Sequence, residues 1–293
     1  MIRFTIVNMF AERACAGSAL GVVTDARGLS DERMRQVATA LDTDETAFVL
    51  PPAAPGATHR VRIFTPGGES PFGGHSCIGT AVTLVRDGLL PAGDVVQECG
   101  PGLHRLSADR TRATMSAAGP RPGGEIDPEP LLEATGLARA DLAGTARAAG
   151  FGPLFHYLPV RDEAVRAARP DLGRMARLDL PDVFVFGWDA ARRTAHGRLF
   201  APGYGIPEDP ACAGVALGLG LWLVAEGALP ADAGTHGYGI DQGAEMGRPA
   251  RLDCALTIGG DGSVTASVTG RVVPAVRGNL VLPAHPGTVP GPR

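Results

Sequence analysis

Two stretches of this chain read alike. Residues 64–91 are "FTPGGESPFGGHSCIGTAVTLVRDGLLP" and residues 200–230 are "FAPGYGIPEDPACAGVALGLGLWLVAEGALP". Each starts Phe-x-Pro-Gly, meets a second proline (Pro71, Pro207), passes a turn of small residues, runs apolar and ends Gly-x-Leu-Pro. The shared order of these landmarks points to an internal duplication. Its physical content is a strand, a glycine-rich turn and a helix, once per half. The alternating segments "HRVRIF" (59–64) and "AHGRLF" (195–200) feed the two turns as strands. The apolar runs 77–87 and 213–226 carry too few polar residues for surface helices, so sheet is expected to wrap them.

Further strands are expected over 2–8, 20–24, 46–50, 182–188, 251–258, 264–268 and 272–282. Helices are expected over 30–41, with Ser30 as N-cap, and over 129–136 and 161–168. The Pro/Gly-rich segment "AAGPRPGGEIDPEP" (117–130) reads as the boundary between an N-terminal half, 1–118, and a C-terminal half, 119–293. The strand over 272–282 is expected to return to the first half, and the tail "PAHPGTVPGPR" reads as disordered. The expected class is α/β (α+β) with two pseudo-symmetric halves.

A chain of 293 residues is long enough for each half to bury a core of its own. A net charge of -4 gives no electrostatic reason to expect nucleic acid as a partner. The longest apolar run, around "GVALGLGLWLVAEG", is too short and too glycine-rich to span a bilayer, so no membrane partner is expected. Five cysteines, Cys15, Cys77, Cys99, Cys212 and Cys254, form no C-x-x-C pair, which suggests a reducing compartment and no metal site. "MIRFTIVNMF" reads as a strand rather than a signal peptide, so a cytoplasmic location is expected.

Two such halves imply a cleft between them, with both glycine-rich turns facing it. Each turn ends at a helix N-terminus, where unpaired N–H groups and a partial positive charge favour an anion. A small carboxylate, or an enolate oxygen developing beside one, fits that arrangement. The second turn adds Asp209 and Cys212 just before an apolar helix, a position whose field favours a thiolate.

"DETAFVL" (44–50), "RIFTPGGESPFGGHSCIGTA" (62–81), "FAPGYGIPEDPACAG" (200–214) and "QGAEMGRPARL" (242–252), with the "CAGSALGVV" turn near the start, resemble the PhzF-like isomerases of phenazine biosynthesis. The resemblance runs from residue 2 to about 282. It implies a diaminopimelate-epimerase-like fold, in which each half is a curved mixed sheet around a central helix, in a homodimer. It also implies isomerisation or epimerisation without a cofactor, by moving a proton between carbons.

Carried over position by position, the resemblance makes Glu45 the acid/base, in Glu-Thr-x-Phe-Val, and His75 the histidine of the Gly-His turn. Asp209 becomes the acid opening the second turn and Gly74 a backbone donor to a substrate carboxylate. A free carboxylate, with a pKa of about 4.3, is a poor base for a C–H proton. Burial in a closed cleft strengthens it, and the same group can return the proton at another carbon. Read without the motif, Glu45 is a surface carboxylate at a strand start, His75 a turn histidine and Asp209 an ordinary N-cap.

The chain also departs from the family. The usual Asp-x-Ala-Thr-Gly-Ser-Ala of the second turn reads here Asp209-Pro210-Ala211-Cys212-Ala213-Gly214-Val215. Ser76 stands where proline is usual, the early Gly-Asn-Pro reads Gly17-Ser18-Ala19, and Asp44 stands where serine often precedes the glutamate. Gly74, Ser76, Ser18, Asp44, Cys212, Ala213 and Gly214 form the expected substrate-binding set. Cys212 also falls at the second of two cysteine positions used by fold-sharing epimerases and racemases, whereas the first corresponds to Gly73. The leading expectation is a proton-moving isomerase of a conjugated, carboxylate-bearing metabolite, with Glu45 as carrier. A Cys212-assisted epimerase and a non-catalytic binder of a small acid or a protein remain alternatives. The other four cysteines are expected to pack as small apolar residues.

Overall fold

The computed structural model describes residues 1–65, 68–70, 73–100 and 102–282. The expected disordered tail, and Pro71 of the repeat, lie outside these residues. The first half runs β1 (Ile2–Met9), β2 (Ser18–Val23), α1 (Asp31–Leu41), β3 (Glu45–Leu50), β4 (His59–Thr65), β5 (Gly68–Ser70), α2 (Gly74–Arg86), β6 (Gly93–Cys99), β7 (Gly102–Ala108) and β8 (Arg112–Ala118). The second continues with β9 (Arg121–Glu125), α3 (Glu129–Thr135), β10 (Arg147–Gly150), β11 (Phe155–Pro159), α4 (Asp162–Ala167), α5 (Leu172–Arg177) and β12 (Val183–Asp189). It ends with β13 (Thr194–Ala201), β14 (Ile206–Asp209), α6 (Ala213–Ala225), β15 (Gly234–Gln242), β16 (Ala250–Ile258) and β17 (Val264–Leu280).

The pairing scheme occurs twice. In the first half β1–β2 is antiparallel, β2–β3 parallel, β3–β4 and β4–β5 antiparallel, β4–β6 parallel, and β6–β7 and β7–β8 antiparallel. The series β10 to β17 repeats those senses in the same order. The halves are laced together at their ends. Strand β8 pairs with the first part of β17, and the rest of β17 pairs with β1 from Val272 to Leu280, while β9 pairs with β10 inside the second half.

Sequence reading placed two strands at 264–268 and 272–282, where one strand, β17, changes neighbours without breaking. The segment 117–130, read as the boundary between the halves, contains β9. Every residue of β9 is exposed, so no apolar alternation announces it, and backbone pairing alone makes it a strand. Helix α5 and the strands β5, β6, β7, β8, β10, β11, β14 and β15 were likewise missed.

Helices α2 and α6 are buried on nearly all sides, as their uninterrupted apolar runs require. They touch each other, and residues of both belong to one continuous apolar core. Tyr157 and Tyr238 cross α6 and donate from their hydroxyls to the carbonyls of Val215 and Ala216, each at 2.8 Å. Gly218 makes the first crossing possible, since a Cβ there would lie 2.3 Å from the Tyr157 hydroxyl. Helix α1 and helices α3 to α5 cover the outer faces through separate apolar clusters. Among the described residues no helix is long and apolar enough to cross a membrane.

Candidate active site

The fold delivers Glu45 and Asp209 to the N-terminal ends of the two central helices. Glu45 is the first residue of β3 and Asp209 the last of β14, and both are buried. Gly73 and Cys212 are the N-caps of α2 and α6, both in extended backbone geometry and neither making a side-chain cap. The first-turn amides of each helix are therefore left without the usual capping partner.

At α2, a Cβ on Gly73 would lie 2.4 Å from Glu45 Oε2, so only glycine lets this carboxylate settle over the turn. Ser76, fully buried, donates its hydroxyl to the same Oε2. His75 Nε2 lies 3.1 Å from Oε2, a charge contact without hydrogen-bond alignment. Burial works to lower the His75 pKa, but the Glu45, Asp209 and Asp44 carboxylates outweigh it and lift it to about 9. His75 is thus an imidazolium at neutral pH, paired with Glu45. The carboxylates that favour this charge come from both halves, Glu45 and Asp44 from the first and Asp209 from the second.

Asp209 accepts the Ala211 N–H at 2.9 Å, and its carbonyl accepts Gln242 Nε2 at 2.6 Å. Burial pushes its carboxyl pKa up, partly opposed by His75 and the Ala211 amide. Asp44 accepts Ser18 Oγ at 3.1 Å and the Ala19 amide at 2.7 Å, and forms a two-pronged ion pair with Arg248 of the second half. Arg248 Nε also donates to the Gly17 carbonyl at 3.0 Å. Burial acts to raise the Asp44 pKa, and the Arg248 guanidinium and the Ala19 amide hold it below the usual range. Ser18 is fully buried and directed at Asp44.

Gly74 is the first residue of α2, and Ala213 and Gly214 open α6. The Cys212 thiol is pushed well up by burial and by Asp209, more than the Gly214 and Val215 amides lower it. The helix N-terminus thus does not make a thiolate here. A Cβ at Gly214 would meet the Phe155 ring at 2.8 Å, so the ring fills the space a side chain at 214 would use. The expectation of apolar packing for the other cysteines fails for Cys15, which is exposed, and Cys77 also accepts Gln97 Nε2 at 2.9 Å.

Sequence reading missed Arg248, which lies inside a quoted motif, and Asp182, which does not. Thr46 pairs with Phe64 in the first half as Val183 pairs with Phe200 in the second, and those phenylalanines head the two repeats. Asp182 is therefore the counterpart of Glu45. It is fully buried, its Oδ1 accepts the His156 N–H at 2.9 Å, and its Oδ2 has no hydrogen-bond partner among the described residues. One half sets a glutamate against a bare glycine cap, and the other a shorter aspartate near a cysteine cap. Among the described residues no group of three or more His, Cys, Asp or Glu side chains could hold a metal ion.

The chain is similar to known proteins over nearly its whole length. The sequence profile of the phenazine biosynthesis-like protein family (PhzC-PhzF) matches residues 7–278. A trans-2,3-dihydro-3-hydroxyanthranilate isomerase of Pseudomonas aeruginosa is 30% identical over 290 residues, covering 96% of this chain and 100% of the relative. The crystal structure of a PhzF-family protein from Bacillus anthracis superposes with a TM-score of 0.84 at 22% identity, covering 96% of this chain and 99% of that one. A probable proline racemase from Agrobacterium radiobacter shares the fold at a TM-score of 0.64 and 14% identity, over 97% and 94% of the two chains. The chain belongs to the phenazine biosynthesis-like protein family, the PhzF-type isomerases.

Proposed function

We propose that the protein moves a proton between carbons of a small, unsaturated, carboxylate-bearing metabolite, with Glu45 as the carrier and no cofactor. The observation that carries this reading is the placement of the buried Glu45 carboxylate over the start of α2, in contact with a charged His75. The α2 amides and the uncapped start of α6 supply donors for a substrate carboxylate and for the enolate that forms when the C–H proton leaves. Asp209, buried at the end of β14 beside the start of α6, is placed to hydrogen-bond a polar substituent of the substrate.

The second turn supports a substrate other than dihydro-hydroxyanthranilate. Phe155 fills the space above Gly214, where relatives' serine side chain would stand, and Cys212 replaces a hydroxyl. A conjugated acid of secondary metabolism, such as an unsaturated alkylproline-type intermediate of antibiotic assembly, suits the more apolar wall. The Cys212-based alternative has less support, because burial keeps the thiol protonated. A homodimer is part of the proposal, and sedimentation tests it. Incubating candidate dienoic acids with the protein in D2O, and reading deuterium uptake by mass spectrometry, tests the reaction class. No uptake into any conjugated acid that binds would favour the non-catalytic alternative.

A further inference from the structure

We infer that Ser76 is a positioning residue for Glu45, and that its hydroxyl divides the carboxylate into a held oxygen, Oε2, and a working oxygen, Oε1. The inference rests on reading Glu45 as the proton carrier and assigns which of its oxygens does the carrying. Ser76 is the third residue of α2 and fully buried, and its hydroxyl is engaged with Glu45. A buried serine hydroxyl in a helix usually bonds back to a carbonyl of the preceding turn. Here it is directed instead at Glu45 Oε2. His75 Nε2 approaches the same atom at 3.1 Å, and the bare Gly73 backbone leaves room for it. The Ser76 hydrogen bond and the His75 approach thus both fall on Oε2.

The chemical consequence follows from the asymmetry. An oxygen that accepts a charge-assisted hydrogen bond and faces an imidazolium is the less basic of the two. The proton taken from carbon therefore arrives on Oε1. With Oε2 pinned, the carboxylate cannot turn about its last bond, and Oε1 keeps one direction through the reaction.

The test combines a ligand-free readout with a kinetic one. In ring-15N NMR of the ligand-free protein, His75 is expected to titrate near 9 in the wild type. In Ser76→Ala, Oε2 loses its donor and presents more charge to His75, so the midpoint is expected to rise by roughly half a unit. Ser76→Thr keeps a hydroxyl and is expected to restore the wild-type midpoint. If the alanine variant does not fold, Ser76→Cys, with a weaker donor, takes its place. An unchanged midpoint overturns the inference.

The kinetic arm follows deuterium uptake from D2O into an unsaturated alkylproline-type acid, the substrate class proposed above. Ser76→Ala is expected to lower kcat about 10- to 100-fold with KM unchanged, and to move the acid limb of the pH profile upward. Ser76→Thr is expected to recover most of the rate. No exchange by the wild type, with His75 titrating as expected, rejects this substrate and leaves the Ser76 contact standing. Exchange by the wild type with an identical profile in Ser76→Ala overturns the Ser76 inference and leaves the isomerase reading standing.

Discussion

Gly73 and Glu45 are a matched pair across the first turn. A Cβ at position 73 would lie 2.4 Å from Oε2 and 3.0 Å from Oε1, so the carboxylate occupies the space that any side chain there would take. The equivalent cap in the second half carries Cys212, and its strand carries the shorter Asp182. The two halves have thus divided the same volume differently between strand and helix cap, and only the first half presents its carboxylate at the helix cap itself.

Gly73→Ala is expected to displace the Glu45 carboxylate without disturbing the core. A shift of about 1 Å at the reacting group costs on the order of 100-fold in rate. Turnover should fall by that amount while thermal stability and substrate binding stay close to wild type. Wild-type turnover in this variant would contradict the pairing.

The His75 ion pair sets a pH window. Its folded pKa, about 9, lies above the ordinary 6.5, so the folded state holds the proton more tightly. The resulting stabilisation is complete below pH 6.5 and is lost as pH rises through 9. A difference of this size corresponds to about 3 kcal/mol. Urea unfolding at a series of pH values should show a decline across that window, and His75→Gln should flatten it. A wild-type profile without decline there would contradict the assignment of charge.

Arg248 ties the second half to Asp44 in the first. Arg248→Ala leaves a partly buried carboxylate near two others, with only the His75 imidazolium to offset it. The two side chains are 28% and 27% exposed, so the loss is expected below that of a fully buried pair, about 1–3 kcal/mol. Urea denaturation reads this directly, and a change within about 0.5 kcal/mol would show that the clamp is incidental.

Much of the frame was legible in the chain because apolar runs report burial on all sides. Helices α2 and α6 and the strands feeding them were found that way, and the motif singled out Glu45, His75 and Asp209, which the fold brings near one another. The exposed strand β9 and the short strands β10 and β11 were not legible, because their partners lie in other parts of the chain and their side chains carry no period of their own. Asp182 was invisible for a related reason. Its equivalence to Glu45 lies in the register of β12 on β13, which no local pattern records. Ser18 and Asp44 were legible as members of a loop, but their commitment to each other and to Arg248 depends on a residue 204 positions away from Asp44.

Phe155 and Gly214 test the reading of the substrate wall. Gly214→Ser introduces a side chain 2.8 Å from the Phe155 ring and is expected to destabilise the fold by about 1–3 kcal/mol. Combined with Phe155→Ala, itself destabilising, the total loss should be smaller than the sum of the two single losses, and the site should widen. Two losses that simply add would show that the ring and the glycine are not coupled.

The central claim is that Glu45 carries the proton, and solvent deuterium uptake by wild type and Glu45→Gln tests it most directly. Glutamine keeps the shape and removes the base. With any conjugated acid that the wild type labels, the account predicts that Glu45→Gln binds the acid and labels it at least about 1,000-fold more slowly, since a missing general base removes its whole contribution. Labelling by Glu45→Gln at the wild-type rate would contradict it.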